Sequence, residues 1–276
     1  MRSYRMKNLK VIAMDMDGTL LTANQEILPY TKEVLMKLQK RGISLVLASG
    51  RDIDSLKKIG QKLNLSDYSQ NGYICLNGLE IYDAKGNQLH QEKKLQFEDA
   101  SVLANLAKTH HIDMILFFEE CLYIMDFGET GITEHHFMSS KKYKTRDISQ
   151  IPSSLFKDLR KVAFIQKETL INEVIPILQK DYNHQFDICK VEPDWVEINP
   201  YGMNKGTALM KYAKIKNIST QHVLAFGNGE NDISMLKLAG KGIAMANSFE
   251  NVKAIADDIC GDNEHDGIGI YLQALL

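Results

Sequence analysis

An α/β fold with a doubly wound, mostly parallel core and an inserted α+β domain is what this sequence predicts. Three observations point to it. Short apolar runs alternate with amphipathic stretches at the start of the chain, the same alternation returns at its end, and the texture between them differs. A length of 276 residues also exceeds what one compact core usually holds, so two domains are expected.

The opening run Leu9 to Met14 reads as a buried strand. Pro29 to Arg41 reads as a helix, with proline tolerated in its first turn and Gly42 following its end. Ile43 to Ala48 is a second buried strand. Asp52 to Leu63 is a second helix with Ile53, Leu56, Ile59 and Leu63 at helical spacing, and Tyr73 to Leu76 is a third strand. Near-continuous apolar strands separated by helices are the pattern of a parallel sheet covered on both faces. Late in the chain, Lys205 to Lys216 and Asn231 to Ala239 read as helices, and His222 to Phe226 and Gly242 to Ala246 as strands. Between the halves, strand-like pieces lie at Met114 to Phe118, Leu122 to Phe127, Val162 to Ile165 and Phe186 to Val191. Helical patterns cover Phe97 to His110 and Thr169 to Tyr182. The expected division is therefore a core of 1–83 and 193–276, with 84–192 as the insert.

Bulk properties narrow the function. A 44% hydrophobic, 25% charged composition is that of a globular protein, and a net charge of −2 offers no electrostatic case for nucleic acid. The basic start Met1 to Lys7 reads as a solvated tail, since the apolar run after it is broken by Asp15 and Asp17 before it could form a signal peptide or a membrane span. Cys75, Cys121, Cys189 and Cys260 stand singly, which predicts reduced, packed thiols and a cytoplasmic setting. His110-His111 and His135-His136 are adjacent pairs whose members point apart on a helix, so surface histidines are expected rather than metal ligands. Composition is neutral on oligomeric state.

Four segments carry chemistry. The first strand runs into Asp15-Met16-Asp17-Gly18-Thr19-Leu20. Ligands of an open parallel sheet bind at the carboxyl ends of its strands, and two carboxylates placed together there call for a cation or a shared proton. Ala48-Ser49-Gly50-Arg51 ends the second strand and offers a hydroxyl and open backbone N–H groups to an anion. Asn204-Lys205-Gly206 puts a cation at a helix start, where the macrodipole disfavours it unless an anion is bound. Phe226-Gly227-Asn228-Gly229-Glu230-Asn231-Asp232 places carboxylate and amide oxygens after a strand, a donor set that suits a hard divalent cation.

Together these strings resemble the haloacid dehalogenase-like phosphohydrolases, and the insert resembles the cap of the Cof-type branch. The resemblance covers about Leu9 to Asp83 and Pro193 to Leu276, and takes in Asn77-Gly78, Met245-Ala246-Asn247 with Glu250 and Lys253, and Asp266-Gly267. It implies Asp15 as nucleophile, Asp17 as general acid/base, and Ser49, Gly50 and Lys205 as the phosphate site. It implies Mg²⁺ held by Asp15, the Asp17 carbonyl, Asn228 and Asp232, with Arg51, Asn77 and Asn231 in support. Arg51 is read as a neighbouring contact or as a group serving the next helix, and Asp232 and Asn231 as acting through water or by holding Lys205 and the loop. The family usually has aspartate where this chain has Asn228, which removes one negative charge from the metal shell. The implied activity is hydrolysis of a small phosphomonoester such as a sugar phosphate, with the cap closing over the site to supply specificity. Two further readings are a phosphomutase or phosphotransferase, and a phosphometabolite-binding protein weakened by Asn228.

Overall fold

The structure, a computed structural model of the chain, describes residues 8–128 and 141–276. The basic tail and the His135-His136 pair lie outside the described residues. The chain divides into two compact units, Met1–Glu92 with Asn204–Leu276, and Lys93–Met203.

The first unit begins with β1 (Val11–Met14), α1 (Pro29–Lys40), β2 (Ser44–Ala48), α2 (Ile53–Lys62), β3 (Gly72–Cys75), β4 (Glu80–Asp83) and β5 (Gln88–Gln91). The inserted unit follows with α3 (Phe97–Thr109), β6 (Asp113–Phe117), β7 (Cys121–Met125), β8 (Lys141–Thr145), β9 (Lys161–Ile165), α4 (Glu168–Tyr182), β10 (Phe186–Glu192) and β11 (Trp195–Pro200). The chain then returns to the first unit through α5 (Lys205–Ile215), β12 (Val223–Gly227), α6 (Ile233–Leu238), β13 (Lys241–Ala244), α7 (Glu250–Lys253), β14 (Asp258–Ile259) and α8 (Gly267–Leu272).

The first unit's sheet has the order β14-β13-β12-β1-β2-β3-β4-β5, parallel from β14 to β3 and antiparallel from there to its edge. The chain winds outward from β1 in one direction and later in the other, so β1 lies at the switch point where such sheets bind ligands. Val11, Ala13, Val46, Ala48, Val223 and Ala225 pack with Ala208, Leu209 and Tyr212 of α5 on one face. Ile12, Met14, Leu45 and Leu47 alternate with them and are equally buried, which is why these strands carry no polar alternation. Cys75, Cys121 and Cys260 are buried, whereas Cys189 in β10 is half-buried, and none of the four is in a disulfide.

α1 starts without a side-chain cap of its own at Leu28. Asp266 supplies one from the far end of the chain, its Oδ1 accepting from the Thr31 N–H at 2.7 Å and the Thr31 hydroxyl at 2.8 Å. Asp266→Ala is therefore expected to lower stability by about 1 kcal/mol, the usual worth of an N-cap, measurable as an earlier urea midpoint with an unchanged slope.

The inserted unit's sheet runs β10-β11-β9-β6-β7-β8, mostly antiparallel, with β7 and β8 parallel. Leu103 and Ala107 of α3 and Ile171, Val174 and Leu178 of α4 pack on it with Met114, Leu116, Val162 and Phe164. The unit's boundaries differ from the expected 84 and 192, for two local reasons. Asp83 turns the chain back, its Oδ1 accepting from the Lys85 and Asn87 N–H groups at 2.9 and 2.8 Å, so β5 stays in the first sheet. At the other end, β11 pairs with both β10 and β9 and so belongs to the insert. Its polar Glu197 is buried against Lys161 of β9, Nζ to Oε1 2.5 Å, a pairing that its local sequence does not reveal. Among the described residues no helix is long and apolar enough to cross a membrane.

Candidate active site

Met14 lies opposite Leu47 of β2 and Phe226 of β12, so the segments following all three strands leave the sheet at one edge. The Asp15 N–H still donates to the Phe226 carbonyl at 3.1 Å, which places the Asp15 side chain at the strand end and only 6% exposed. Beyond it the chain turns within four residues, with the Thr19 and Leu21 N–H groups donating to the Met16 carbonyl. Gly18 makes this possible twice over. Its φ is +73°, and a Cβ there would stand 2.7 Å from the Asn228 side-chain nitrogen.

Lys205 enters from the first turn of α5, which Asn204 caps by accepting from the Thr207 N–H at 2.9 Å. Gly206 next to it lets α5 approach α6, since a Cβ would meet the Ser234 carbonyl oxygen at 2.5 Å. The lysine is 0% exposed. Its ammonium donates to Asp15 Oδ1 at 2.5 Å and to Asp232 Oδ1 at 2.7 Å. Asp232, also 0% exposed, accepts with its other oxygen from the Asn228 and Gly229 N–H groups at 2.9 and 3.0 Å. One cation thus joins the nucleophile candidate of β1 to the loop after β12.

The charge balance of this trio is two carboxylates against one ammonium. Burial first, and then the charge of Asp232, push Asp15 up to about 7, against the pull of Lys205 and the Met16 N–H. Burial works against the charge on Lys205, but the two carboxylates outweigh it and raise its pKa above the ordinary value. The lysine therefore stays charged, while Asp15 keeps its proton to a higher pH than an ordinary carboxylate because one ammonium does not compensate two buried carboxylates.

Ser49 is buried at the end of β2, its hydroxyl oxygen accepting from the Arg51 N–H at 3.2 Å. Gly50 beside it lies against Asn77, whose amide oxygen accepts from Asn231 at 3.2 Å, so the second and fourth segments are tied together by two amides. Asn228 turns its side chain to the first segment, its oxygen accepting from the Thr19 hydroxyl at 2.7 Å. Arg51 serves neither the next helix nor Ser49 through its guanidinium. It grips Asp17, Nε to Oδ2 at 2.9 Å and a second nitrogen on Oδ1, and that second nitrogen also donates to the side-chain amide oxygen of Gln25.

All ten residues singled out from the sequence thus fall around the ends of β1, β2 and β12, the exit of β3 and the start of α5. Sequence reasoning passed over Thr19 as a side chain, Gln25 altogether, and the reason for Asn247. The Asn247 amide donates to the Gly18 carbonyl at 2.8 Å, and Asn263 and Glu264 hold Leu21 and Ala23 of the same loop. No local pattern marks Asn247, Asn263 and Glu264, because each acts more than 200 positions from its partner.

Among the described residues no cluster of three or more His, Cys, Asp or Glu side chains could hold a metal. The donors here are mixed instead: the Asp15 carboxylate, the Asn228 amide oxygen and the backbone at Asp17. An all-oxygen set of carboxylate, amide and carbonyl donors is of the kind that suits Mg²⁺.

Known proteins bear on this geometry. The pattern of the haloacid dehalogenase-like hydrolases matches residues 12–272. The chain is 30% identical to a pyridoxal phosphate phosphatase of Escherichia coli (strain K12), over 97% of this chain and 98% of the relative. It is 29% identical to a 5-amino-6-(5-phospho-D-ribitylamino)uracil phosphatase of Bacillus subtilis (strain 168), over 95% and 93% of the two chains. A phosphatase of the haloalkanoate superfamily from Bacteroides thetaiotaomicron superposes with a TM-score of 0.79 at 26% identity, over 99% and 96% of the two chains.

Proposed function

This chain belongs to the haloacid dehalogenase-like hydrolases and is a phosphomonoester hydrolase, and we propose that it hydrolyses small phosphorylated metabolites through a phosphoryl group carried on Asp15. The observation that carries this reading is the buried Lys205 ammonium within hydrogen-bonding distance of both Asp15 and Asp232. A carboxylate attacks a phosphate dianion only when the mutual repulsion is neutralised and the approach is in line. Lys205 supplies fixed positive charge for the first, and the rigid ends of β1 and α5 supply the second.

In the proposed first step a carboxylate oxygen of Asp15 forms a bond to phosphorus as the bond to the leaving oxygen breaks, and the Asp17 carboxyl gives its proton to that oxygen. In the second step Asp17, now a carboxylate, takes a proton from water. The water oxygen bonds to phosphorus, the Asp15–phosphorus bond breaks, and phosphate leaves with both carboxyl groups restored. The Ser49 hydroxyl and the Gly50 N–H orient the phosphoryl oxygens. Mg²⁺, held by Asp15, the Asp17 carbonyl and Asn228, would supply charge neutralisation of the phosphoryl group. Asp232 has both oxygens committed to Lys205 and the loop, so its part in this scheme is to position them.

We read the inserted unit as the cap that selects the organic group, with sugar phosphates and ring-bearing metabolite phosphates as the classes to test. The singly scattered cysteines support a cytoplasmic setting. A phosphate-release screen over sugar phosphates, nucleotides and cofactor phosphates, with Mg²⁺, tests the reading. Turnover into free phosphate supports it. Transfer to a sugar acceptor without free phosphate would replace it with a phosphotransferase, and no turnover on any compound with a phosphodonor role would replace it with a binding protein.

Asn228 makes a separate expectation. Asn228→Asp restores a negative charge beside Asp15, and Mg²⁺ binding measured by calorimetry is expected to tighten on the order of tenfold or more. An unchanged affinity would remove Asn228 from the metal shell.

A further inference from the structure

The carboxylate of Asp17 is about half exposed, yet three hydrogen bonds from two side chains hold it. Arg51 grips both of its oxygens, and the Gln25 amide nitrogen donates to Oδ1 at 3.1 Å. Arg51 and Gln25 are also bonded to each other, so the three side chains close a ring of contacts. Exposed ion pairs add little to stability, and stability is therefore a poor reason for this arrangement.

The backbone points the same way. Gln25 has a φ of +62°, a left-handed conformation that an L residue with a long side chain adopts at a cost. It is held there by its N–H donating to the Thr22 carbonyl at 2.9 Å, while the Thr22 N–H donates to the Glu26 carbonyl at 2.9 Å. Glycine would fill that position without strain. A glutamine kept there instead brings its amide onto Asp17.

We propose that Gln25 and Arg51 are the positioning pair of Asp17, fixing the direction its carboxyl group faces as it gives and takes the proton. The inference rests on the acid/base reading of Asp17 given above. The chemistry of the two side chains divides the work. Arg51 has donors only, and so serves the ionised carboxylate that activates water. Gln25 carries both a donor and an acceptor, and so holds Asp17 through its amide nitrogen while its amide oxygen anchors the Arg51 guanidinium.

A leaving oxygen that needs no proton separates this role from a structural one. 4-Nitrophenyl phosphate releases a stable phenolate, whereas a primary alkyl phosphate such as glycerol 3-phosphate needs a proton on its leaving alkoxide. The measured quantity is the ratio of kcat/KM for the alkyl phosphate to that for the aryl phosphate, since kcat/KM reports the first phosphoryl transfer. Gln25→Gly removes the amide and relieves the backbone, and Arg51→Lys keeps the charge without the two-pronged grip. Both are expected to lower this ratio by about tenfold relative to wild type, in the direction set by Asp17→Asn, as befits partial loss of a general acid worth roughly 10²–10⁴-fold. An unchanged ratio in Gln25→Gly overturns the proposal, whether both rates fall together or neither falls. An equal fall on both substrates in Arg51→Lys makes Arg51 a direct phosphate contact and overturns its share. Asp15→Asn is the control for the underlying reading: if that protein keeps its activity, the assignment of the site fails, whatever the ratio shows.

Discussion

Asp15→Asn protein is expected to lose at least about 10³-fold in phosphate release on every substrate while folding at least as well as the wild type. A carboxamide has the shape of the carboxylate but neither its charge nor its nucleophilic oxygen. The stability half of the expectation follows from the charge balance at Lys205. Removing the Asp15 charge leaves one ammonium, one carboxylate and no surplus, with Lys205 still 2.7 Å from Asp232. Burial and Asp232 raise Asp15 to about 7, well above its unfolded value of 3.8, so the folded protein holds this proton more tightly than the unfolded chain. The associated stability is fully present below 3.8 and is lost as pH rises through about 7. The advantage of the asparagine protein in a chelator-treated thermal melt is therefore expected to grow as pH rises through about 7 and to be smallest in acid. Activity within tenfold of wild type would remove Asp15 as the nucleophile. A variant less stable than wild type at pH 8 would show that the carboxylate contributes to the fold rather than straining it.

Lys205→Met is expected to be the most destabilising single change at the site. It leaves two buried carboxylates facing each other with no counterion, a loss of about 3–5 kcal/mol when one partner of a buried pair is removed. For a chain of this length that corresponds to a fall in melting temperature on the order of 10 °C. Phosphate release should vanish with it. A triple variant tests the cause: adding Asp15→Asn and Asp232→Asn to Lys205→Met removes the orphaned charges and should recover much of the lost stability without any activity. Lys205→Met melting within about 2 °C of wild type would mean that the ammonium does not hold these loops together.

Much of the site was legible because its parts sit directly after apolar strands. The positions of Asp15, Ser49 and Asn228 follow from where β1, β2 and β12 stop, and strand ends can be read from short local patterns. Lys205 announced itself by an electrostatic misfit, a cation at a helix start, and the structure supplies its two anionic partners. Arg51 was visible but its partner was not, since Asp17 lies 34 residues away and nothing between them encodes the pairing. Gln25 left no trace, because a left-handed glutamine in a turn looks like any other polar loop residue. The limits of the inserted unit differ from those the sequence predicts for a related reason. β5 and β11 are polar on one side, and which sheet a half-polar strand joins depends on its neighbours: the Asp83 turn keeps β5 in the first unit, and Lys161 gives Glu197 of β11 a partner.

The place of Asp15 at a strand end, the alternation of strands and helices, and the existence of an insert were determined by the sequence alone, because each depends on residues a few positions apart. The electrostatic setting of Asp15, the Arg51 grip on Asp17, the distant cap on α1 and the sheet that β11 joins were decided only by the tertiary structure. Each of these depends on groups distant in sequence but within 3.5 Å in the folded chain, and on their shared removal from water, which no local pattern of residues records.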